Sequence, residues 1–360
     1  MHPSRERVLR ILHHSGPGLV AYDALRGREI VKVIRALDLP DDWRDYFRKG
    51  DVRYVGTETP GERERFAQFL PDLPEEADLS CWGVGRIALQ STEGHHAGHR
   101  YFNPLASIDT VAGLDAYPWP EPISTSDAEA LRLQVQTMQA KDVAVIGNAS
   151  QTILETAYLM RGMDRLFLDF YERPDYLDAL FGHLRRWREG QMRVLAQAGV
   201  DAIRIGDDIA TQEALMISLP MYRERLKPHH AAVVAAALDV APELPIAYHS
   251  DGDITALLPD LLEMGITAIN PVQPECMDMQ AISREFGAEL ALWGCTPVQS
   301  IYANGTPEQV RAHTRWLFDE VAPAHGLIVQ FMNIVITPHV LQSLGAFFEE
   351  FALQSSNVHA

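Results

Sequence analysis

Cysteine is scarce in this chain: Cys81, Cys276 and Cys295 are the only three among 360 residues. So odd and sparse a set gives no disulfide framework and suits a reducing compartment. Positive charge is also short, with 31 Lys and Arg against 49 Asp and Glu and a formal net charge of -18. Without a basic run there is nothing to neutralise phosphates, so nucleic acid is not an expected partner. Long apolar runs are missing too. The most apolar stretch, 231–241, is too short to cross a bilayer and reads as a buried helix, and the charged N-terminus has no apolar core of leader length. No membrane association is expected, and the location read from this is cytoplasmic. The chain carries no Gly-x-Gly-x-x-Gly turn, Walker loop, Gly-x-Ser-x-Gly elbow or Cys-x-x-Cys pair, which removes the usual signatures of dinucleotide, nucleotide and serine-hydrolase chemistry.

What is present is an ordinary globular composition, 47% hydrophobic and 22% charged, in a length that suits one large domain or two medium ones. From residue 126 onward helix and strand alternate. Ser126 with Glu129 reads as a capping box, and Thr306, Pro307 and Gln309 read as another. Short apolar segments at 142–148, 202–206, 246–249, 267–270, 290–294 and 327–331 are expected strands, rich in Ile, Val and Ala and buried on both faces, as parallel strands are. The first hundred residues are less regular. Helices are expected at 5–13, 25–37 and 61–70, and strands at 18–22 and 82–89. Six strands and two make eight, so the expected fold is α/β, a (β/α)8 barrel. It forms a single domain over 1–360, with 1–75 as an irregular, mainly helical N-terminal extension.

Nearly every expected strand ends in a functional group: Asn148, Asp207 and Asp208, His249 and Asp251, Asn270 and Gln273, Cys295, and Asn333. In a β/α barrel those ends open onto one face, where the active site lies. Polar residues also end strands simply to cap the next helix; the set as a whole, more than any one member, argues for a site. Of the adjacent acids, one should line the pocket and the other face away, and Asp208 is the one expected inside. His249 and Asp251 are spaced to point the same way. Imidazole plus the Cys295 thiolate is zinc-ligand chemistry, with Asp251 as third ligand or orienting partner. Cys81 and Cys276 read as small buried hydrophobes. His95 and His99, in a segment that carries Gly94 and Gly98, fit a substrate-covering loop, and His229 and His230 read as packing or solvent residues.

At these positions the chain resembles the uroporphyrinogen decarboxylase superfamily. The motifs are Gly206-Asp207-Asp208, Tyr222 with Lys227-Pro228, His249-Ser250-Asp251-Gly252, Ile269-Asn270-Pro271-Val272-Gln273-Pro274 and Gly305-Thr306-Pro307-Glu308. They are preceded by Asn103-Pro104-Leu105 and Tyr117-Pro118-Trp119-Pro120. The resemblance implies a (β/α)8 barrel with its cleft at the strand C-termini. The decarboxylase arm carries an N-terminal Met-Arg-Gln-Ala-Gly-Arg segment, which is missing here, although Arg26 and Arg28 lie nearby. The arm similar to methylcobamide:coenzyme M methyltransferase binds zinc through a His-x-Cys and a later Cys. Here His249 is kept, Asp251 replaces the Cys, Asn333 falls near the later Cys, and Cys295 lies one strand earlier.

The leading expectation is a zinc-dependent methyltransferase or demethylase with one zinc per chain on His249, Asp251 and Cys295. Its methyl group would pass between a small molecule and a separate corrinoid protein or other acceptor, since the chain has no cobalamin motif of its own. Asp208 and Asp251 are the expected catalytic residues. Asn148, Asp207, Tyr222, Asn270, Gln273 and Asn333 are expected to hold substrate. The alternatives are a metal-independent decarboxylase-type lyase and a non-catalytic binding barrel. A homodimer is compatible with the fold.

Overall fold

A computed structural model describes residues 3–24, 50–90, 96–332, 334 and 337–357. The expected helix at 25–37 and the residues Arg26, Arg28, His95 and Asn333 lie outside the described residues. Eight parallel strands form a nearly closed (β/α)8 barrel in the order β1–β11–β10–β9–β8–β7–β6–β2. They are β1 (Val20–Asp23), β2 (Val52–Val55), β6 (Ala144–Ser150), β7 (Ala202–Gly206), β8 (Ile246–His249), β9 (Ala268–Val272), β10 (Ala291–Gly294) and β11 (Leu327–Gln330). The remaining strands, β3 (Asp78–Leu79), β4 (Gly85–Gln90) and β5 (His96–Phe102), form a separate antiparallel sheet inserted between β2 and β6.

The stretch expected as a helical extension does contribute the helices Ser4–Leu12 and Arg63–Phe66. It also supplies two barrel strands, which corrects the boundary drawn at residue 75. The expected strand at 82–89 belongs to the inserted sheet, and its place in the barrel is taken by Val52–Val55. That strand is four residues long and interrupted by Arg53 and Tyr54, too brief for a pattern of period two to stand out.

β1 and β2 meet at the one seam without a ladder. Asp51 spans it: its backbone N–H donates to Tyr22 O at 2.7 Å, and its carboxylate accepts from Tyr22 N at 2.8 Å. The helix Ser4–Leu12 closes the N-terminal mouth, burying Val8, Ile11 and Leu12 in the interior. There Ala21, Ala144, Ala202, Ala247, Ala268 and Ala291 leave room for one large side chain, the fully buried Trp293, so the lower barrel is a packed core rather than a pore.

Thr306 caps its helix as expected, with Gln309 completing the box. The capping box placed at Ser126 is corrected to Ser124, whose hydroxyl accepts from Asp127 N at 3.1 Å, so the helix begins at Thr125. Among the described residues no helix is long and apolar enough to cross a membrane.

Candidate functional site

Side chains of a strand alternate, so residues two apart share a face. Two positions beyond the alanine layer the interior turns polar: Asp23 follows Ala21, Tyr54 follows Val52, Asn148 follows Ile146, and Arg204 follows Ala202. His249 follows Ala247, Asn270 follows Ala268, and Gln330 follows Ile328. This layer floors a cavity of about 420 Å³ lined by Gly56, Glu58, Asn148, Ser150, Gln151, Glu155, Asp208 and His249.

His249 is held by a chain of hydrogen bonds running one way across the floor. Its Nδ1–H donates to Asn270 Oδ1 at 2.8 Å. Asn270 Nδ2 donates to Gln330 Oε1 at 2.7 Å, and Gln330 Nε2 donates to the buried Asp23 carboxylate. Tyr54 OH also donates to Asp23, at 2.5 Å. With the amides oriented in this way, Nδ1 carries the proton and Nε2 offers its lone pair. Burial, then the nearby Arg204 charge, hold the imidazole pKa well below its usual range, so the ring is neutral near pH 7, the form a metal ligand needs.

That lone pair faces acid. His249 Nε2 lies 3.9 Å from Asp208 Oδ1, and ligand atoms of Asp208, His249 and Asp251 all lie within 4.8 Å of one another. Two donors sharing an ion at about 2.1 Å can be at most about 4.2 Å apart, so the His249–Asp208 spacing already fits one ion. Asp208 Oδ1 accepts from Asp251 N at 2.9 Å. Gln273 bridges the loop, accepting from Gly252 N at 2.7 Å and donating to Asp251 Oδ1 at 3.3 Å. One imidazole and two carboxylates form a nitrogen–oxygen donor set that suits zinc with an open position.

Cys295 is not part of this group. It is fully buried in the apolar core at a φ of +62°. Burial pushes its thiol pKa well up. A thiol that resists ionising in an apolar setting is a poor ligand; among the described residues the group that could hold an ion contains Asp208 and not Cys295.

Four of the expected substrate contacts prove to be supports. Asp207 is fully buried and accepts from the backbone N–H groups of Ile153, Leu154 and Glu155 at 3.0–3.1 Å, capping the helix Leu154–Arg161. It also accepts from His230 Nε2 at 2.8 Å. Tyr222 is buried behind that pair, its hydroxyl 3.5 Å from His230 Nδ1. Asn270 and Gln273 do not line the cavity and instead hold His249 and Asp251. Asn148 does line it. Cys276 and Cys81 are half-buried, and His230, read as packing or solvent, is a buried hydrogen-bond partner of Asp207.

Sequence reasoning also missed Glu155, Glu58, Ser150 and Gln151 around the cavity, and Asp23, Tyr54, Arg204 and Gln330 in its floor. Arg204 was findable: a cation amid the apolar strand Ala202–Gly206 has to point into the barrel. Glu155 was not, because only folding brings it to Asp208. Burial, then Asp208 and Asp207, push its pKa up to about 8, so it holds a proton at neutral pH.

The Asn270 support gives a direct test. Asn270→Leu removes the acceptor that fixes the His249 tautomer, and such partners are worth about 10–100-fold in metal affinity. Competition titration against a chromophoric chelator should show that loss. Unchanged affinity would show that the tautomer does not depend on the chain of amides.

A parallel barrel with a polar, metal-capable cavity at the strand C-termini is a common enzyme scaffold. Residues 98–350 match the sequence profile described as Uroporphyrinogen decarboxylase (URO-D), and the chain belongs to that family. Among solved structures, a methyltransferase from Methanosarcina mazei is 12% identical, with a TM-score of 0.65, 98% of this chain and 99% of that chain being covered. Xylanase B from Clostridium stercorarium F9 is 13% identical over 59% of this chain and 74% of its own, at a TM-score of 0.38. No curated protein matches. The first likeness shows the fold, and the second is too remote to carry an argument.

Proposed function

We propose that this protein is a zinc-dependent methyltransferase or demethylase acting on a small molecule, with a separate corrinoid protein or another acceptor as partner. The observation that carries this reading is the group Asp208, His249 and Asp251 beside the cavity. Family membership and the fold shared with a methyltransferase support it. A zinc ion held there would act as a Lewis acid on the thiol or oxygen that gains or loses the methyl group.

The chain's own residues do the rest. Asn270 keeps His249 Nε2 directed at Asp208, and Gln273 keeps Asp251 turned toward the same point. Glu155, protonated at neutral pH, can supply a proton to an oxygen or nitrogen left behind when a methyl group departs. Asn148 lines the cavity, and with its carbonyl oxygen bonded to Ser150 and Arg204 it has its NH2 group to offer a ligand.

The test is methyl transfer from methylcob(III)alamin to a thiol by the zinc-loaded protein, followed as the cobalamin spectrum changes. The expected result is turnover by the native chain and none by His249→Ala. Zinc-loaded protein that turns over neither methylcobalamin nor a methylated donor with cob(I)alamin would contradict the reading, and porphyrinogen decarboxylation without metal would replace it.

A further inference from the structure

Arg161 and Arg188 are fully buried, and Arg204 points into the barrel half-buried; of these three, only Arg204 makes no direct bond to an acid. Arg161 is fully buried and pairs with Asp169 and Asp109, both at 2.8 Å. Arg188, also fully buried, pairs with Glu58 and packs between Trp82 and Trp187. Arg204 differs. It points into the barrel from β7, and its bonds go only to neutral oxygens at long range: Asn148 Oδ1 at 3.2 Å, Asn270 Oδ1 at 3.3 Å and Tyr54 OH at 3.4 Å. Its Nε is buried without a partner. The guanidinium lies over the Tyr54 ring, 4.6 Å from the centroid, which offsets only part of the cost of withdrawing a cation from water.

We propose that Arg204 and the Asn148 amide form an anion-recognising floor, so that the small molecule acted upon carries a carboxylate. The inference rests on reading the cavity as the substrate site. Arg204 is only partly buried; it is not itself among the residues that line the cavity, but it is bonded to Asn148, which is. A carboxylate entering from above can accept from the guanidinium in place of the Asn148 carbonyl, and from the Asn148 NH2 group, exchanging long neutral contacts for charge-assisted ones.

The acids of the cavity do not fill this role. Glu58 is committed to Arg188, Glu155 accepts from Gln151 Nε2 at 2.7 Å, and Asp208 belongs to the metal group. A divalent ion between Asp208 and Asp251 would balance those two charges, leaving the Arg204 guanidinium with one acid in the floor, Asp23, which it reaches only through the Tyr54 hydroxyl. The floor sets the size of the ligand. Arg204 Nη1 and His249 Nδ1 share one acceptor, Asn270 Oδ1, at 3.3 and 2.8 Å. The guanidinium and the imidazole are therefore close, and a short acid has its reacting group only a few bonds from the carboxylate.

The test is calorimetric titration of the full chain with three molecules of similar shape: methoxyacetate, neutral 2-methoxyethanol and cationic 2-methoxyethylamine. Each is run with zinc loaded and with metal stripped by a chelator. Methoxyacetate should bind at least about 10-fold more tightly than the other two, the scale of one charge-assisted recognition contact. The preference should survive metal removal, vanish in Arg204→Met and return in part in Arg204→Lys.

Preference for the amine, equal binding of all three, or no binding of methoxyacetate at millimolar concentration would each overturn the proposal on the native protein alone. So would a preference that disappears with the metal, since the ion and not Arg204 would then be holding the carboxylate. Binding through Arg204 without methyl transfer would instead refute only the methyltransferase reading, and methyl transfer without carboxylate preference would refute only the anion floor.

Discussion

Asp207→Ala should destabilise the fold by roughly 3–5 kcal/mol, since it strips the acceptor from several buried donors at about 1–3 kcal/mol each. The carboxylate is fully buried, pairs with His230 and receives the free N–H groups at the start of the helix Leu154–Arg161. Alanine leaves those donors and the imidazole without an acceptor in a site that water does not reach. Urea unfolding measures the loss, and a change under about 1 kcal/mol would show that the helix start finds other acceptors.

The same group predicts an acid limb. Burial alone would raise the Asp207 pKa, but the hydrogen bond and charge of His230, with the backbone donors, outweigh it and hold the pKa below its ordinary value of 3.8. A carboxyl that is more acidic folded than unfolded stabilises the fold in full above the unfolded value. That contribution is given up as pH falls from there through the folded value. The native chain should therefore lose stability below about pH 4 more steeply than Asp207→Ala.

His249→Ala should weaken zinc binding at neutral pH by at least about 100-fold, beyond the range typical of losing an orienting partner alone. His249 is the one nitrogen donor in the group, and it is neutral and aimed before any ion arrives. The substitution lies at the end of β8 on a half-buried side chain, so thermal unfolding of the metal-free protein should change little while the titration changes greatly. Native-like zinc affinity in this variant would mean that the ion is held elsewhere.

Much of the fold was legible in the sequence, for a definite reason. The six strands from β6 to β11 are apolar on both faces and separated by helices with clear stops, and parallel sheets write that pattern strongly. β2 was missed because Arg53 and Tyr54 break so short a strand. The residues of the candidate site were legible only where chemistry coincided with a strand end, as at Asn148, Asp208, His249 and Asp251, whose roles remain proposals. Adjacent acids look alike in sequence; only the fold shows Asp207 turned to a helix start and Asp208 to the cavity. Cys295 misled because thiols and imidazoles make good ligands, while the positive φ that turns this thiol into the core leaves no sequence mark. The supports Asn270, Gln330 and Asp23 come from three strands, β9, β11 and β1, and only the closed barrel brings them together.

The most direct measurement is the zinc content, by inductively coupled plasma mass spectrometry, of the native chain, Cys295→Ala and Asp208→Ala after extensive dialysis. If the ion sits among Asp208, His249 and Asp251, the native chain and Cys295→Ala will each hold about one zinc, and Asp208→Ala will hold little, since a three-ligand site does not survive on two. Zinc lost from Cys295→Ala but kept by Asp208→Ala, or no zinc in the native chain, would contradict that account.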